Sequence, residues 1–240
     1  MPVGLYSLDD GGRVQFSADE TTFCLSFVGK ATVTATINHP AGSGANLKYV
    51  DITYVGSEPI IAWKNGDANQ RCCVLSTTRS GSTWTFRVLV INGSAGSFAF
   101  TYYIFDRPVP VAHSSGGIEV YGPGGAIVFS SDKPLFRAVS QVPYYFGSPS
   151  GSVSLPAGDY AITMSGMIET QDDIDVGEGG EITERRTYRA MGAKVRSDYA
   201  EYVQVTTNIV FGLSGVPAPG GGLNGYGGQS GALVIDVAGL

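Results

Sequence analysis

The acidic residues whose spacing suggests chemistry are concentrated between Glu169 and Glu184, a segment with seven of the chain's 21 acids and no base. Within it, Asp173-x-Asp175-x-Gly177-Glu178 suggests calcium, because alternating carboxylates in a turning loop can converge on one hard cation. The EF-hand spacing is not met, and no bidentate glutamate stands at its twelfth position. We therefore interpret the segment as a solvated loop and assign no metal-ligating residue. Whether it binds an ion or a partner stays open.

Hydrolytic chemistry finds little support in the histidines or the acids. The sequence has no Gly-x-Ser-x-Gly nucleophile motif for which His39 or His113 could act as the base. Ser114 and Ser115 adjoin His113 only within a predicted linker. Glycosidase chemistry needs two carboxylates in one cleft, whereas the acids here cluster on one predicted loop. We predict that the protein is not an enzyme and assign no catalytic residue. An all-β hydrolase would require a carboxylate pair that only the fold could assemble.

Cofactor and thiol chemistry are also not indicated. The glycine-rich run at 220–231 lacks the Lys-Ser/Thr of a phosphate loop and precedes no predicted helix, so no cofactor-binding residue is assigned. Cys24, Cys72 and Cys73 are odd in number, and two of them are adjacent, which is a poor disulfide framework. We interpret all three as free thiols in strands.

Charge and hydropathy exclude two classes of partner. Residues 1–112 carry eight acids and eight bases, whereas 113–240 carry 13 acids and seven bases and hence the whole net charge of −6. No basic stripe occurs, so we expect no nucleic-acid binding. No apolar run approaches the roughly 18 residues of a membrane helix, so we expect no membrane insertion. Met1-Pro2-Val3 leads directly into a predicted strand without a basic and apolar leader, which favours the cytoplasm as the place of synthesis.

The elements that must position these residues come in two similar copies. Residues 4–23 and 117–136 align at an offset of 113 without a gap and agree at seven of 20 positions, where average residue usage would give roughly one or two identities. Each copy reads as an apolar strand, a glycine-rich turn and a returning strand that ends in Phe-Ser. A repeat of this kind predicts two copies of one module.

Short alternating strands separated by turn signals, without any helical period, predict an all-β fold of two tandem antiparallel β-sandwich domains. The first domain is 1–112 and the second is 113–240, with a proline-containing linker at 106–116. The second domain adds an acidic hairpin at 169–184, followed by basic residues on its returning strand, and a glycine-rich loop at 215–231. Both copies close with an apolar strand that runs into an aspartate, Asp106 and Asp236.

The repeated pattern Gly-[Leu/Ile]-x5-Gly-Gly-x-[Val/Ile]-x-Phe-Ser-[Ala/Ser]-Asp, completed by the closing strand at 102–106, resembles small β-rich tail-tip and minor-tail proteins of long-tailed bacteriophages. The first copy has Ala18 where the resembled proteins have serine, and the second copy closes without aromatic residues. The resemblance implies a structural or adaptor component of a phage tail tip or tail fibre, assembled into the virion in the host cytoplasm. Its partners would be other tail proteins and further copies of the chain around the tail axis.

The alternative is a receptor-binding or glycan-binding tail module that uses the two loops found only in the second copy, 169–184 and 215–231. Tyr144-Tyr145-Phe146 and Tyr226 could stack on sugars or dock on a partner, although core or interface packing is the commoner role of such residues. In this interpretation a host receptor is the partner.

Overall fold

The protein is built from antiparallel β-strands. The computed structural model describes residues 6–8, 14–17, 22–33, 35–36, 47–65, 70–91, 99–108, 118–122, 125–143, 150–164, 168–176, 182–213 and 231–240, and no helix occurs among them. The predicted fold class, all-β with antiparallel sandwich copies related by an internal repeat, is confirmed. The predicted domain boundary near residue 112 lies outside the described residues and stays a prediction. No helix in the described part of the chain has the length and apolarity to span a membrane.

The described residues of the first copy form nine strands. They are β1 (Tyr6–Leu8), β2 (Val14–Ser17), β3 (Cys24–Thr32), β4 (Ala35–Thr36), β5 (Leu47–Val55), β6 (Ile60–Asn65), β7 (Arg71–Ser80), β8 (Thr83–Ile91) and β9 (Ala99–Asp106). The hairpin between β7 and β8 turns at Gly81, whose φ of 61° lies in the left-handed region that favours glycine.

Nine strands likewise lie in the part of the second copy that the structure describes. They are β10 (Glu119–Tyr121), β11 (Ile127–Ser130), β12 (Ala138–Pro143), β13 (Ser150–Ser154), β14 (Tyr160–Thr163), β15 (Ile168–Val176), β16 (Ile182–Val195), β17 (Tyr199–Leu213) and β18 (Gly231–Asp236). The apolar pattern of 160–168 predicts one strand, but this segment contains the whole of β14, which ends at Thr163, and the first residue of β15, Ile168.

The opening hairpins of the two copies have the same geometry. Tyr6 pairs with Ser17 in β1 and β2, and Glu119 pairs with Ser130 in β10 and β11, which are the same positions at the offset of 113. The register shifts at the same place in both hairpins, between the second and third residues of β1 and of β10. Agreement in register and bulge shows that the sequence repeat is a structural repeat.

The two copies share their main sheets. The six-stranded sheet has the order β12-β18-β14-β6-β9-β3, and the eight-stranded sheet has the order β13-β17-β16-β7-β8-β5-β4, with β15 paired to β16. In the six-stranded sheet, β12, β18 and β14 of the second copy are the equivalents of β3, β9 and β6 of the first copy, and the two sets run in opposite order across the sheet. The eight-stranded sheet shows the same reversal. Each sheet therefore runs without interruption from the first copy into the second.

The copies meet where equivalent segments pair antiparallel. Trp63 of β6 lies opposite Ile162 of β14 in one sheet, and Cys72 of β7 lies opposite Ala193 of β16 in the other. Residues 23–25 and 134–136 form a third pairing, in which the Leu25 nitrogen donates to the Pro134 oxygen and the Phe136 nitrogen donates to the Phe23 oxygen, both at 2.7 Å. We call these three pairings together the seam.

The core lies between the two sheets and includes residues of both copies. Trp63 and Phe100 from the six-stranded sheet pack in one buried cluster with Val88 and Tyr202 from the eight-stranded sheet. Burial of such large side chains is the main stabilising contribution to a sandwich. Because one cluster spans both copies, their apolar cores are continuous.

A second, smaller cluster covers the opposite face of the six-stranded sheet. It contains Phe105, Ala62 and Ala161, and the side chains of Phe23 and Phe136 pack against it. The ring of Phe136 meets Phe105 edge to face, with centroids 5.1 Å apart and planes at 85°, which is a favoured aromatic geometry. The phenylalanines that end the two repeated segments thus close this face of the sheet.

Candidate functional site

The feature that distinguishes the second copy is an arm formed by β15, residues 182–190 of β16 and residues 205–213 of β17. In the first copy residues 66–70 connect β6 to β7, whereas in the second copy residues 164–181, which include β15, connect the equivalent strands. The segments after β8 and β17 differ in the same way, being 92–98 in the first copy and 214–230 in the second. Both additions stand at equivalent positions of the module, and each adjoins a strand of the arm in sequence.

The predicted acidic hairpin is confirmed as a hairpin, but most of its acids lie on a strand and not at a tip. Glu169, Asp172, Asp173 and Asp175 all belong to β15, and the turn at 177–181 lies outside the described residues. Because β15 pairs with β16 over its full length, its backbone is extended where the sequence suggested a loop.

The register of the arm places acids opposite arginines. Glu169 pairs with Arg189, Asp172 with Arg186, and Asp173 with Arg185. The sequence showed an acidic segment followed by a basic one, and the strand register places three acidic positions opposite three basic positions.

The two loops proposed as a binding face leave the arm at the same end. Val176 pairs with Ile182 across the turn of the hairpin, and Thr183 pairs with Leu213 at the end of β17. Residues 177–181 and the loop that follows Leu213 therefore start from neighbouring strand ends. The glycine-rich loop itself, 215–231, lies outside the described residues apart from Gly231, the first residue of β18.

The calcium hypothesis does not gain a described site. Asp173 and Asp175 lie two positions apart on β15, where an extended chain separates them by about 6.6–6.8 Å along the strand. Gly177 and Glu178 lie outside the described residues. Within the parts of the chain that the structure describes, no group of three or more His, Cys, Asp or Glu residues could hold a metal ion.

Several ionisable groups in the described core and at the seam hold the chain together. Asp106 is 3% exposed, and its carboxylate accepts hydrogen bonds from the backbone nitrogens of Ser57 and Glu58 at 2.8 Å and of Arg107 at 2.7 Å. Three backbone donors satisfy a buried carboxylate and fix the turn between β5 and β6. Gly56 belongs to the same turn, where a Cβ would stand 2.0 Å from the Asp106 carboxylate.

Other charged groups link the two copies. The Lys64 ammonium lies 2.5 Å from the Asp159 carboxylate. The Glu201 carboxylate lies 2.7 Å from the Arg71 guanidinium and 3.2 Å from the Lys194 ammonium. Arg71 belongs to β7 of the first copy, and the other two residues of that group belong to β16 and β17. The arrangement serves attachment of one copy to the other.

The three cysteines are free and buried, as predicted. Burial raises the pKa of the Cys73 thiol to about 12, and burial together with its neighbour Cys73 holds the pKa of Cys72 well above its usual range. Burial also raises the pKa of Cys24. Since the thiolate is the reactive form, burial keeps these side chains in the less reactive thiol form.

Other residues singled out from sequence lie outside the described residues, namely His39, His113, Tyr226 and the run at 144–146. Sequence reasoning treated β3 only as a strand and missed that it ends a sheet with Phe27 and Val28 exposed. A usable signal was present. Two consecutive large apolar residues in a strand point to opposite faces, so a sheet edge could leave both uncovered.

Comparison with protein-family models, with curated proteins and with solved structures finds no match for this chain.

Proposed function

We propose that this protein is a non-enzymatic structural or adaptor component of a bacteriophage tail tip or tail fibre, held in the virion by protein–protein contacts. The observation that carries the proposal is the seam, where the module pairs with its own repeat through β6 and β14, through β7 and β16, and through residues 23–25 and 134–136. A module that joins another copy of itself in this way is suited to assembly. The resemblance of the repeated segment at 117–136 to phage tail-tip proteins supplies the setting.

The charges at the seam support the same role. Arg71, Lys194 and Glu201 form one charged group that links both copies, with Lys194 almost buried. A carboxylate shared by two cations at a partly buried site favours one geometry over others, since leaving any member unpaired is costly. In the proposed function this rigidity lets the pair of modules act as one building block among other tail proteins.

The proposal is tested in purified phage particles. The chain is tagged at its C-terminus in the phage genome, and virions purified by density gradient are examined by mass spectrometry and by cryo-electron microscopy. We expect the chain in the particle at a fixed number of copies and density for the two-copy sandwich at the tail tip or fibre. A particle that is infectious and contains none of the chain contradicts the proposal.

A second candidate, a receptor-binding or glycan-binding tail module, is favoured by the arm. The register brings the start of the glycine-rich loop next to the acidic hairpin, so both additions of the second copy present one end to a partner. Replacing 170–188 by a short Asn-Gly hairpin turn should abolish adsorption to host cells and leave assembly intact. The matched control alters 66–70, which connects the equivalent strands in the first copy. Unchanged adsorption after replacement of 170–188 rejects a receptor-binding role for the hairpin.

A further inference from the structure

One sheet edge of this protein is long, apolar and open. β3 is the last strand of the six-stranded sheet, and the strand beside it in the sheet is β9. Its start is covered by 134–136, which bridge to Cys24, but residues 27–32 have no second strand beside them among the described residues. Unpaired backbone N–H and C=O groups along such an edge are a template for a further strand.

The side chains of this edge are unusually apolar for a solvent-facing strand. Phe27 is 47% exposed and Val28 is 42% exposed, and Lys30 is the one charged residue of 27–32. Gly29 lies opposite Tyr102, whose ring occupies the space of the missing side chain, since a Cβ on Gly29 would approach that ring to 2.5 Å. Tyr102 in turn lies 5.9 Å from the Phe27 ring and 6.5 Å from the buried Phe100 ring. A row of aromatic rings thus runs from the core to the open edge.

The other edges of the two main sheets are unsuited to pairing with their own copy. β12 has six residues and a terminal proline, which lacks the N–H needed for a ladder. β4 has two residues and β13 has five, four of them serine or glycine. β15 is as long as β3, but four of its nine residues are acidic, so pairing two copies of this strand brings like charges together and is unfavourable.

We propose that two molecules associate through β3, antiparallel and about a two-fold axis, so that their six-stranded sheets become one continuous sheet. The occupant is a second copy because the chain already joins its own modules in this manner, pairing β6 with β14 and β7 with β16 as equivalent antiparallel edges. Two-fold pairing of identical edges is self-complementary and closes at the dimer. It also covers Phe27 and Val28 on both molecules.

This inference rests on the self-association in the proposed function, and its test uses the purified full chain. Analytical ultracentrifugation should show a monomer–dimer equilibrium. Val28→Lys should weaken dimerisation about tenfold or more, because it places like charges from the two molecules in a desolvated dimer interface. Val139→Lys is the matched control, since Val139 lies on β12, the opposite edge of the same sheet, and is also 42% exposed. It should leave the dimer unchanged.

Hydrogen exchange on the unaltered chain makes the test independent of any variant. Amides in 27–32 should gain protection as concentration rises, whereas those in 138–143 should not. A chain that stays monomeric overturns the inference, as does a dimer without protection in 27–32. Equal weakening by Val139→Lys overturns it too, because β3 would then pair with β12 of the next molecule. A monomeric chain would refute dimerisation without deciding whether the chain is a virion component. Virions that lack the chain would refute the proposed function without deciding whether the chain dimerises.

Discussion

The indole nitrogen of Trp63 donates a hydrogen bond to the backbone oxygen of Ala193, 3.4 Å away, and this bond joins the two sheets and the two copies at once. Trp63 also lies opposite Ile162 in the six-stranded sheet and is fully buried. Nearby, the Asn65 side-chain oxygen accepts from the Val195 nitrogen at 3.3 Å, in the same direction across the core. One strand of the first copy is thus fastened to two strands of the second.

Truncation of Trp63 should destabilise the whole chain. Trp63→Ala is expected to lower the free energy of unfolding by about 3–5 kcal/mol, because it leaves a cavity in a core shared by both copies. Trp84→Ala is the control. Trp84 is half-buried, and its indole nitrogen bonds to the Gly56 oxygen within the first copy, so the cost should be smaller.

The same contacts predict cooperative unfolding of the two copies. Both tryptophans belong to the first copy, so tryptophan fluorescence follows that copy, whereas far-ultraviolet circular dichroism follows both. In urea the two signals should change in one coincident transition. Two separate transitions would mean that the seam does not couple the copies.

Asp106 should contribute more to the free energy of unfolding than its repeat equivalent Asp236. Asp106→Asn is expected to cost about 1–3 kcal/mol, because the amide nitrogen that replaces one carboxylate oxygen cannot accept a hydrogen bond, so at least one of the three backbone nitrogens loses its partner at this buried side chain. Asp236 accepts from the Ala238 nitrogen at 3.0 Å and lies 3.6 Å from Arg137, so Asp236→Asn should cost less. Urea denaturation of the two variants compares them directly, and equal losses would contradict the structural role of the Asp106 carboxylate.

Loss of the shared carboxylate at the seam should be costly. In Glu201→Gln the nearly buried Lys194 and the half-buried Arg71 keep their charges without the carboxylate between them, and we expect a loss of about 2–4 kcal/mol. The control is Asp51→Asn, which removes an exposed ion pair with Arg87 that lies within the first copy. Exposed pairs contribute about 0–1 kcal/mol. Thermal denaturation should rank the variants in this order, and a reversed order would show that the Glu201 group is dispensable.

The buried thiols predict a loss of stability at alkaline pH. The pKa of Cys73 is about 12 in the folded protein against a usual value of 9.0. Above pH 9 the unfolded chain releases this proton while the folded chain keeps it, so the free energy of unfolding falls between pH 9 and 12. Cys73→Ala should fall less steeply over the same interval, measured by urea denaturation at a series of pH values. Parallel curves for the two proteins would show that Cys73 titrates alike in both states.

Local chemistry explains why much of the fold could be predicted from sequence. Phe86, Val88 and Val90 alternate along β8 and all enter the core, as the period of two requires. Gly125 adopts a φ of 80° in the turn of the second repeated hairpin, where the glycine pattern indicated a turn. The candidate site was only partly predictable. The hairpin at 169–184 followed from composition, but its acids are in a strand because pairing with β16 overrides the low strand propensity of aspartate.

The sequence by itself determined two copies of one β-module and the additions that only the second copy carries, because alternation, glycine turns and repeat spacing are local properties. Tertiary structure alone decided that β6 joins β14 and β7 joins β16, since edge pairing uses backbone groups that every residue has and therefore leaves no residue pattern. It also decided which edge stays open. Phe27 and Val28 read like any other strand residues, and only the order of strands in the sheet leaves them at its border.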